Sequence, residues 1–455
     1  MNKIYLDNAA TTPLSEEVID AMVETMKVNF GNPSSTHSFG QEAKIVIENV
    51  RRQIADYLHV TPAEIIFTSC GTESNNLIIK SCVEHLGVER IISSPMEHKC
   101  VSESILDMKN RKGVEVVYIR PNEKGDIDLA KLEELLKNSD KKTLVSLMHA
   151  NNEIGNIVDI KKIAQICKEN NALFHSDTVQ TMAHMNLDLS DIPVDFASCS
   201  AHKFHGPKGI GFAFIRKATG LKGIITGGPQ ERSLRAGTEN VAGIAGLGKA
   251  LELSLNNMEA YTQHIQNIKQ YAIERIAAEI PGVKFNGRSS EAENSLYTVV
   301  SLLLPYKNPL IGLQLDMKGI AVSQGSACSS GASKPSMVMM MILSEKKPIF
   351  FADTSINQNP SAEDLVNIAK MAEHTVKSFA IEPRIAMLGF ENFAAISDTS
   401  KKVAKAVSIL HEKFPKMIVD GEIQPDFAMN SDHLSDYPFS KLGTTPANTF
   451  VFPNL

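Results

Sequence analysis

Several residues in the first half of the chain are of types that handle organic chemistry, and each follows a short run of β-forming residues. Lys203, in SAHKFHGPKGIG, sits beside Ser200 and His202 and close to glycines that let backbone approach a ligand. A lysine so placed could form a Schiff base. Taken alone, a lysine is far more often a solvated loop residue, so its type decides little by itself. Asp177 ends LFHSD, at the carboxyl edge where ligands of parallel sheets bind. An acid there could pair with a pyridinium nitrogen and keep the ring an electron sink, although a helix cap or turn is an equally common use.

Gly71 and Thr72, in CGTESNN, close another strand and open a helix, where backbone amides and a hydroxyl suit a phosphate. His98, in SPMEHKC, could lie over a planar ring or shuttle a proton, while a purely structural histidine is the commoner outcome. Asn152 in HANNEIG and Gln180 in DTVQ are amides at further strand ends, suited to a phenolic oxygen and equally to turns. Joint placement is what carries information: an acid, a lysine and a phosphate cup terminate strands of one expected sheet.

The frame for these groups is an α/β fold with a mostly parallel seven-stranded sheet. Its strands are expected at Glu64 to Ser69, Arg90 to Ser94, Val114 to Ile119, Thr143 to His149, Leu173 to Asp177, Asp195 to Cys199 and Ile210 to Ile215. Ala43, Ile47, Val50, Ile54 and Leu58 fall on one face of a helix that packs onto the sheet. A long helical stretch from about Gly243 to Glu279 leads to a smaller α/β domain with a Gly-Ser loop, QGSACSSGAS, that carries Cys328. After a charged break at Ser344 to Pro348, IFFAD reads as strand, Ser361 to Phe379 as a capped helix, RIAML as strand, and Lys401 to Phe414 as helix. The expected division is therefore 1–15 with 250–347 as the small domain, 16–249 as the large domain, and 348–455 as a C-terminal segment.

With 455 residues, 43% of them hydrophobic, the chain can bury large cores. A net charge of −6 lacks the basic footprint that nucleic-acid or membrane-surface binding requires. No apolar run is long enough for a secretory signal or a membrane span, so a cytoplasmic protein with small-molecule or protein partners is expected. The six cysteines show no CxxC spacing, so neither a metal site nor a disulfide framework is suggested.

YLDNAATTP, FGNPSSTHSFGQEA, FTSCGTESNN, MEHK, HANNEIG, HSDTVQ, SAHKFHGPKG, GGPQERSLRAGTENV and GSACSSG run in order over residues 4 to about 332. In these motifs the chain resembles cysteine desulfurases of the iron-sulfur-cluster type, within the fold-type I, class V aminotransferase superfamily. The resemblance implies pyridoxal 5'-phosphate as cofactor, Lys203 as its Schiff-base lysine, Asp177 as the pyridinium partner and His98 as the ring-stacking acid/base. Gly71, Thr72, Ser200 and His202 would bind phosphate, and Gln180 and Asn152 would contact the phenolic oxygen or the substrate. The family forms homodimers in which a threonine of RxGTxN, here Thr238, reaches the other subunit's phosphate. Cys328 would attack the sulfur of L-cysteine as a thiolate, leaving L-alanine and a persulfide for an acceptor such as an iron-sulfur scaffold. Another class V lyase or aminotransferase, and a non-catalytic cofactor-binding fusion, are the alternatives.

The pattern breaks after the GSAC loop. The family carries an arginine on a following strand that clamps the substrate carboxylate; aligned on that strand, it falls near Phe350. A charge-assisted pair of that kind contributes about 1.5–3 kcal/mol, so substrate orientation is expected to suffer. From about Pro348 onward the chain instead resembles the phosphate acetyltransferase domain, including the version attached to malic enzymes, in IFFADTSINQNPSAEDL, VDGEIQPDFAMN and NTFVFPNL. That family's acyl and phosphate site also draws on segments upstream and beyond FPNL, and FENFAAIS departs from its usual turn, so acetyl transfer is not expected.

Overall fold

A computed structural model describes residues 3–306, 311–324, 339–344, 347–352, 359–379 and 381–453. The chain divides into two compact units, Met1–Asn308 with Leu315–Gly325, and Pro309–Gln314 with Ser326–Leu455.

The first unit opens with β1 (Ile4–Tyr5), α1 (Glu16–Val28) and α2 (Ser38–Leu58). On α2 the stripe Ala43, Ile47, Val50, Ile54 and Leu58 is buried throughout, as its spacing requires. Seven strands follow: β2 (Ile65–Thr68), β3 (Arg90–Ser93), β4 (Glu115–Tyr118), β5 (Thr143–Ser146), β6 (Leu173–Asp177), β7 (Phe196–Ser200) and β8 (Gly211–Ile215). They form one sheet in the order β2-β8-β7-β6-β5-β3-β4, parallel except where β8 runs against β2 and β7. Both faces are covered. Phe67, Ile92, Val145 and Ala197 enter one buried cluster, while their chain neighbours Ile66, Ile91, Leu144 and Phe196 enter the other. That alternation explains why the strands read as continuous apolar runs.

Helices α3 (Gly71–Leu86), α4 (Lys99–Lys112), α5 (Leu129–Lys137) and α6 (Ile160–Glu169) connect the strands. Because β8 is antiparallel to both its neighbours, β2 points the same way as β7. The carboxyl ends of β2, β3, β5, β6 and β7 therefore share one edge, with the first turns of α3 and α4 beside it.

The long helical stretch expected from Gly243 to Glu279 is two helices, α7 (Val241–Asn256) and α8 (Met258–Glu279). Asn257 separates them: its side-chain amide donates to the Leu253 carbonyl at 2.8 Å, a local bond that competes with helix continuation. β9 (Lys284–Phe285) then pairs antiparallel with β10 (Leu302–Leu303), and after α9 (Ile311–Met317), β11 (Ile320–Ala321) pairs parallel with β1.

The second unit is a five-stranded sheet of β12 (Met339–Ser344), β13 (Lys347–Ala352), β14 (Ile385–Leu388), β15 (Val419–Ile423) and β16 (Thr449–Val451), in the order β12-β13-β16-β14-β15. Helices α10 (Ala362–Ser378) and α11 (Asp398–Lys413) supply Leu365, Ala369, Val403 and Leu410 to its core, and the short α12 (Pro425–Ala428) and α13 (Ser431–Ser435) lie between β15 and β16. The capping signal holds: Ser361 Oγ accepts from the Asp364 amide at 3.1 Å and Asp364 accepts from the Ser361 amide at 2.9 Å. Within the segment expected as a charged break near Pro348, Ser344 ends β12 and Lys347 and Pro348 open β13, with Ser344 paired to Lys347; Glu345 and Lys346 lie outside the described residues. The compact unit accordingly begins before Pro348, because β13 ties β12 into the C-terminal sheet. Among the described residues no helix is long and apolar enough to cross a membrane.

Candidate active site

The turn that follows β7, Ala201–Lys203, presents Lys203 at the shared strand edge. Its Nζ donates to the carbonyl oxygens of Ala9 at 2.6 Å and Ala10 at 2.9 Å. Gln180 Nε2 donates to the same Ala9 oxygen at 3.0 Å, so the N-terminal AATTP segment straps the lysine and the amide together. The strap is itself fastened: Thr12 donates from its amide and hydroxyl to the His202 carbonyl at 2.9 and 3.0 Å. The Lys203 carbonyl lies 3.0 Å from His184 Nε2, and His184 Nδ1 lies 2.8 Å from the Tyr297 hydroxyl. A carbonyl only accepts, so this histidine carries its proton on Nε2 and Tyr297 donates to Nδ1. Burial lowers the pKa of Lys203 against the opposing pull of Asp177 and Asp7, which favours the neutral, nucleophilic amine.

Asp177 closes β6 and is buried. One carboxylate oxygen accepts from the Val179 amide at 3.0 Å, the other from Asn75 Nδ2 at 2.8 Å. Asn75 Oδ1 lies 3.0 Å from His175 Nε2, and His175 Nδ1 lies 2.9 Å from Ser146 Oγ. Burial pushes the His175 pKa down to about 3, so the ring is neutral. The types of Asn75, His175 and Ser146 do not by themselves point to a site, yet a signal exists. His175 precedes Asp177 by two residues and so shares its strand face, and Asn75 lies one helical turn beyond Gly71.

Gly71 and Thr72 form the first turn of α3. A Cβ added at Gly71 would fall 2.6 Å from Val179 Cγ2, so any larger residue would force Val179 to move. Ser200 Oγ, at the end of β7, is buried and makes no hydrogen bond among the described residues. A buried hydroxyl left unsatisfied costs about 1–3 kcal/mol, which an anion at the helix N-terminus would recover. His202 stands next to it, half-buried, its pKa pushed down to about 4 first by burial and then by Lys203 and Lys208. The orphaned hydroxyl, the close packing at Gly71 and the buried acid all fit pyridoxal phosphate.

His98 caps α4: its Nδ1 accepts from the Cys100 amide at 3.2 Å and lies 2.9 Å from Cys100 Sγ. The free ring nitrogen, Nε2, therefore carries the proton. Burial and then Asp177 push the Cys100 thiol up to about 12, so it remains an S–H donor. Asn152 is half-buried on a turn whose shape is set by its neighbour, since Asn151 Oδ1 accepts from the Glu153 and Ile154 amides at 2.9 and 3.0 Å. Thr238 is exposed. Cys328 lies outside the described residues. Phe350 is fully buried in the second unit, its ring 5.4 Å from that of Phe379.

The aminotransferase class-V family model matches residues 4–349. The chain belongs to the class V aminotransferase family. Its curated relatives include cysteine desulfurase IscS of Dictyoglomus turgidum, 42% identical over 78% of this chain and 88% of the relative. Cysteine desulfurase IscS of Methanosarcina thermophila is 39% identical over 74% of this chain and 82% of the relative. Among solved structures, a NifS-like protein from Rickettsia africae superimposes with a TM-score of 0.66 at 32% identity, covering 84% of this chain and all of that one. A structure of SspA in complex with cysteine gives 0.62 at 32% identity over 72% and 90% of the two chains. The phosphate acetyl/butaryl transferase model matches residues 321–455, so the C-terminal segment is similar to that family, and the match starts earlier than Pro348. The class V match stops one residue short of Phe350.

Proposed function

We propose that this class V enzyme is a cysteine desulfurase in which Lys203, Asp177 and the α3 N-terminus hold pyridoxal phosphate and Cys328 takes the sulfur of L-cysteine. The observation that carries the reading is Lys203 Nζ, half-buried at the strand edge, held by two carbonyl oxygens and shifted toward its neutral form. Bound there, the cofactor supplies an electron sink for the carbon that loses its proton. Gly71, Thr72, Ser200 and His202 would receive the phosphate, and Gln180 and Asn152 the phenolic oxygen or the substrate. Asp177 would offer its carboxylate to the ring nitrogen. His98, with its proton on Nε2, is poised as the donor of the acid/base pair. Cys328, as thiolate, would attack the substrate sulfur; the substrate Cβ–S bond breaks, its electron pair stays with the carbon and takes a proton to give L-alanine, and the sulfur remains as a Cys328 persulfide that would pass to an acceptor protein, in iron-sulfur assembly or thiolation.

Two features support a homodimer. Thr238 is exposed, and Met26, Val28, Phe30 and Phe39 at the α1–α2 junction are apolar and exposed, with the rings of Phe30 and Phe39 5.3 Å apart. A surface of that kind suits a second copy of the chain. Borohydride treatment followed by peptide mass mapping tests the cofactor assignment: a pyridoxyl group should be fixed on Lys203, and its absence there overturns the reading. Incubation with cysteine should add one sulfur atom to Cys328.

A further inference from the structure

We infer that Asn75, itself fixed by His175 and Ser146, is the positioning residue that sets the carboxylate of Asp177 and, through Cys100, the ring of His98. The inference deepens the reading of Lys203 and Asp177 as the cofactor site and rests on it.

The direction of every hydrogen bond follows from what each group can do. An aspartate carboxylate only accepts, so the Asn75 amide must turn its NH2 toward Asp177, at 2.8 Å. Its oxygen then faces His175 Nε2 at 3.0 Å, which makes that nitrogen the protonated one. His175 Nδ1 is left as an acceptor for the Ser146 hydroxyl at 2.9 Å. The second hydrogen of the Asn75 amide reaches Cys100 Sγ at 3.1 Å, and the thiol in turn lies 2.9 Å from His98 Nδ1. One amide thus joins the acid and the histidine assigned to the two sides of the reaction.

The backbone builds this chain in register. Ser146 and His175 are direct partners in the parallel β5–β6 pair, and His175 and Asp177 share a face of β6. Ser146, Asn75 and His175 are wholly buried. At this depth the bonds are shielded from bulk solvent, and the donors and acceptors present allow one satisfying arrangement. Truncating Asn75 strands one lone pair of a buried carboxylate and one imidazole N–H, and it frees the Cys100 thiol to turn away from His98.

The test uses the full chain labelled with 15N-histidine, with and without pyridoxal phosphate. A slowly exchanging Nε2–H resonance of His175 is expected in both states and should vanish in Asn75→Ala. Affinity for pyridoxal phosphate should fall about tenfold in Asn75→Ala and in His175→Phe, equal to about 1.4 kcal/mol. Because glutamine places an amide N–H near the Nε2 position, His175→Gln should recover most of that loss, while His175→Asn should not. An unprotected His175 proton, or equal affinities for the Gln and Asn variants, overturns the inference. That contrast still decides should Asn75→Ala fail to fold. Failure of borohydride to label Lys203 would remove the cofactor assignment, whereas the His175 resonance of the cofactor-free chain tests the relay independently of it.

Discussion

Glu231 takes two hydrogen bonds from Arg51, at 2.8 and 2.6 Å, with both side chains buried, and a third from the Phe67 amide at 2.7 Å. The pair tethers the GGPQERSLRAGTEN loop at a point where Glu231, Arg232 and Ser233 all adopt positive φ, a conformation non-glycine residues resist. Arg51→Leu removes one partner and leaves Glu231 as an uncompensated buried charge. A loss of about 3–5 kcal/mol is expected from the urea denaturation of the first unit. The loop that carries Thr238 should also become protease-sensitive, which limited proteolysis would show.

Lys269 provides a pH-dependent test. Its Nζ is buried, donates to Ser295 Oγ at 2.7 Å and to the Leu296 carbonyl at 3.0 Å, and burial pushes its pKa down to about 8. The unfolded chain keeps that proton up to the ordinary lysine value of about 10.4. Between these values the unfolded state binds more protons, so raising the pH stabilises the fold. Denaturation midpoints across pH 8 to 10.5 should therefore rise for the parent relative to Lys269→Met, and a constant difference would refute the assignment.

Phe350 separates a missing clamp from a structural position. The resemblance puts Phe350 near the position of the family's carboxylate-binding arginine, and on that reading the KM for L-cysteine should be high. Phe350→Arg should not restore it, because the guanidinium would replace a fully buried ring and unfold the C-terminal sheet. Phe350→Ala should cost that unit about 3–5 kcal/mol. Restored alanine production by Phe350→Arg, with an intact C-terminal unit, would contradict this.

Cys328 and Lys203 should separate two steps. Cys328→Ala should keep borohydride labelling of Lys203 while abolishing the persulfide that mass spectrometry detects. Lys203→Ala should abolish both. Persulfide retained in Cys328→Ala would mean that another thiol takes the sulfur.

Local and periodic features are legible in the residue order. Seven β-rich runs became the seven strands of one sheet, the α2 stripe was buried as spaced, and Ser361 capped α10, because side-chain alternation and end-capping are set within a few residues. The positions of Gly71, His98, Asp177 and Lys203 at strand ends were legible too, since motifs and chain order share that edge. What touches them emerges only in three dimensions. The Ala9 and Ala10 carbonyls reach Lys203 across more than 190 positions, and Asn75 meets Asp177 across more than 100. Such contacts depend on strand order and crossover, which no local pattern encodes. The same holds for the break in the long helix at Asn257 and for the antiparallel pairing of β12 with β13, in which Pro348 faces Leu343. In both, a specific hydrogen-bonding arrangement overrode the local reading of helix continuity and charged linker.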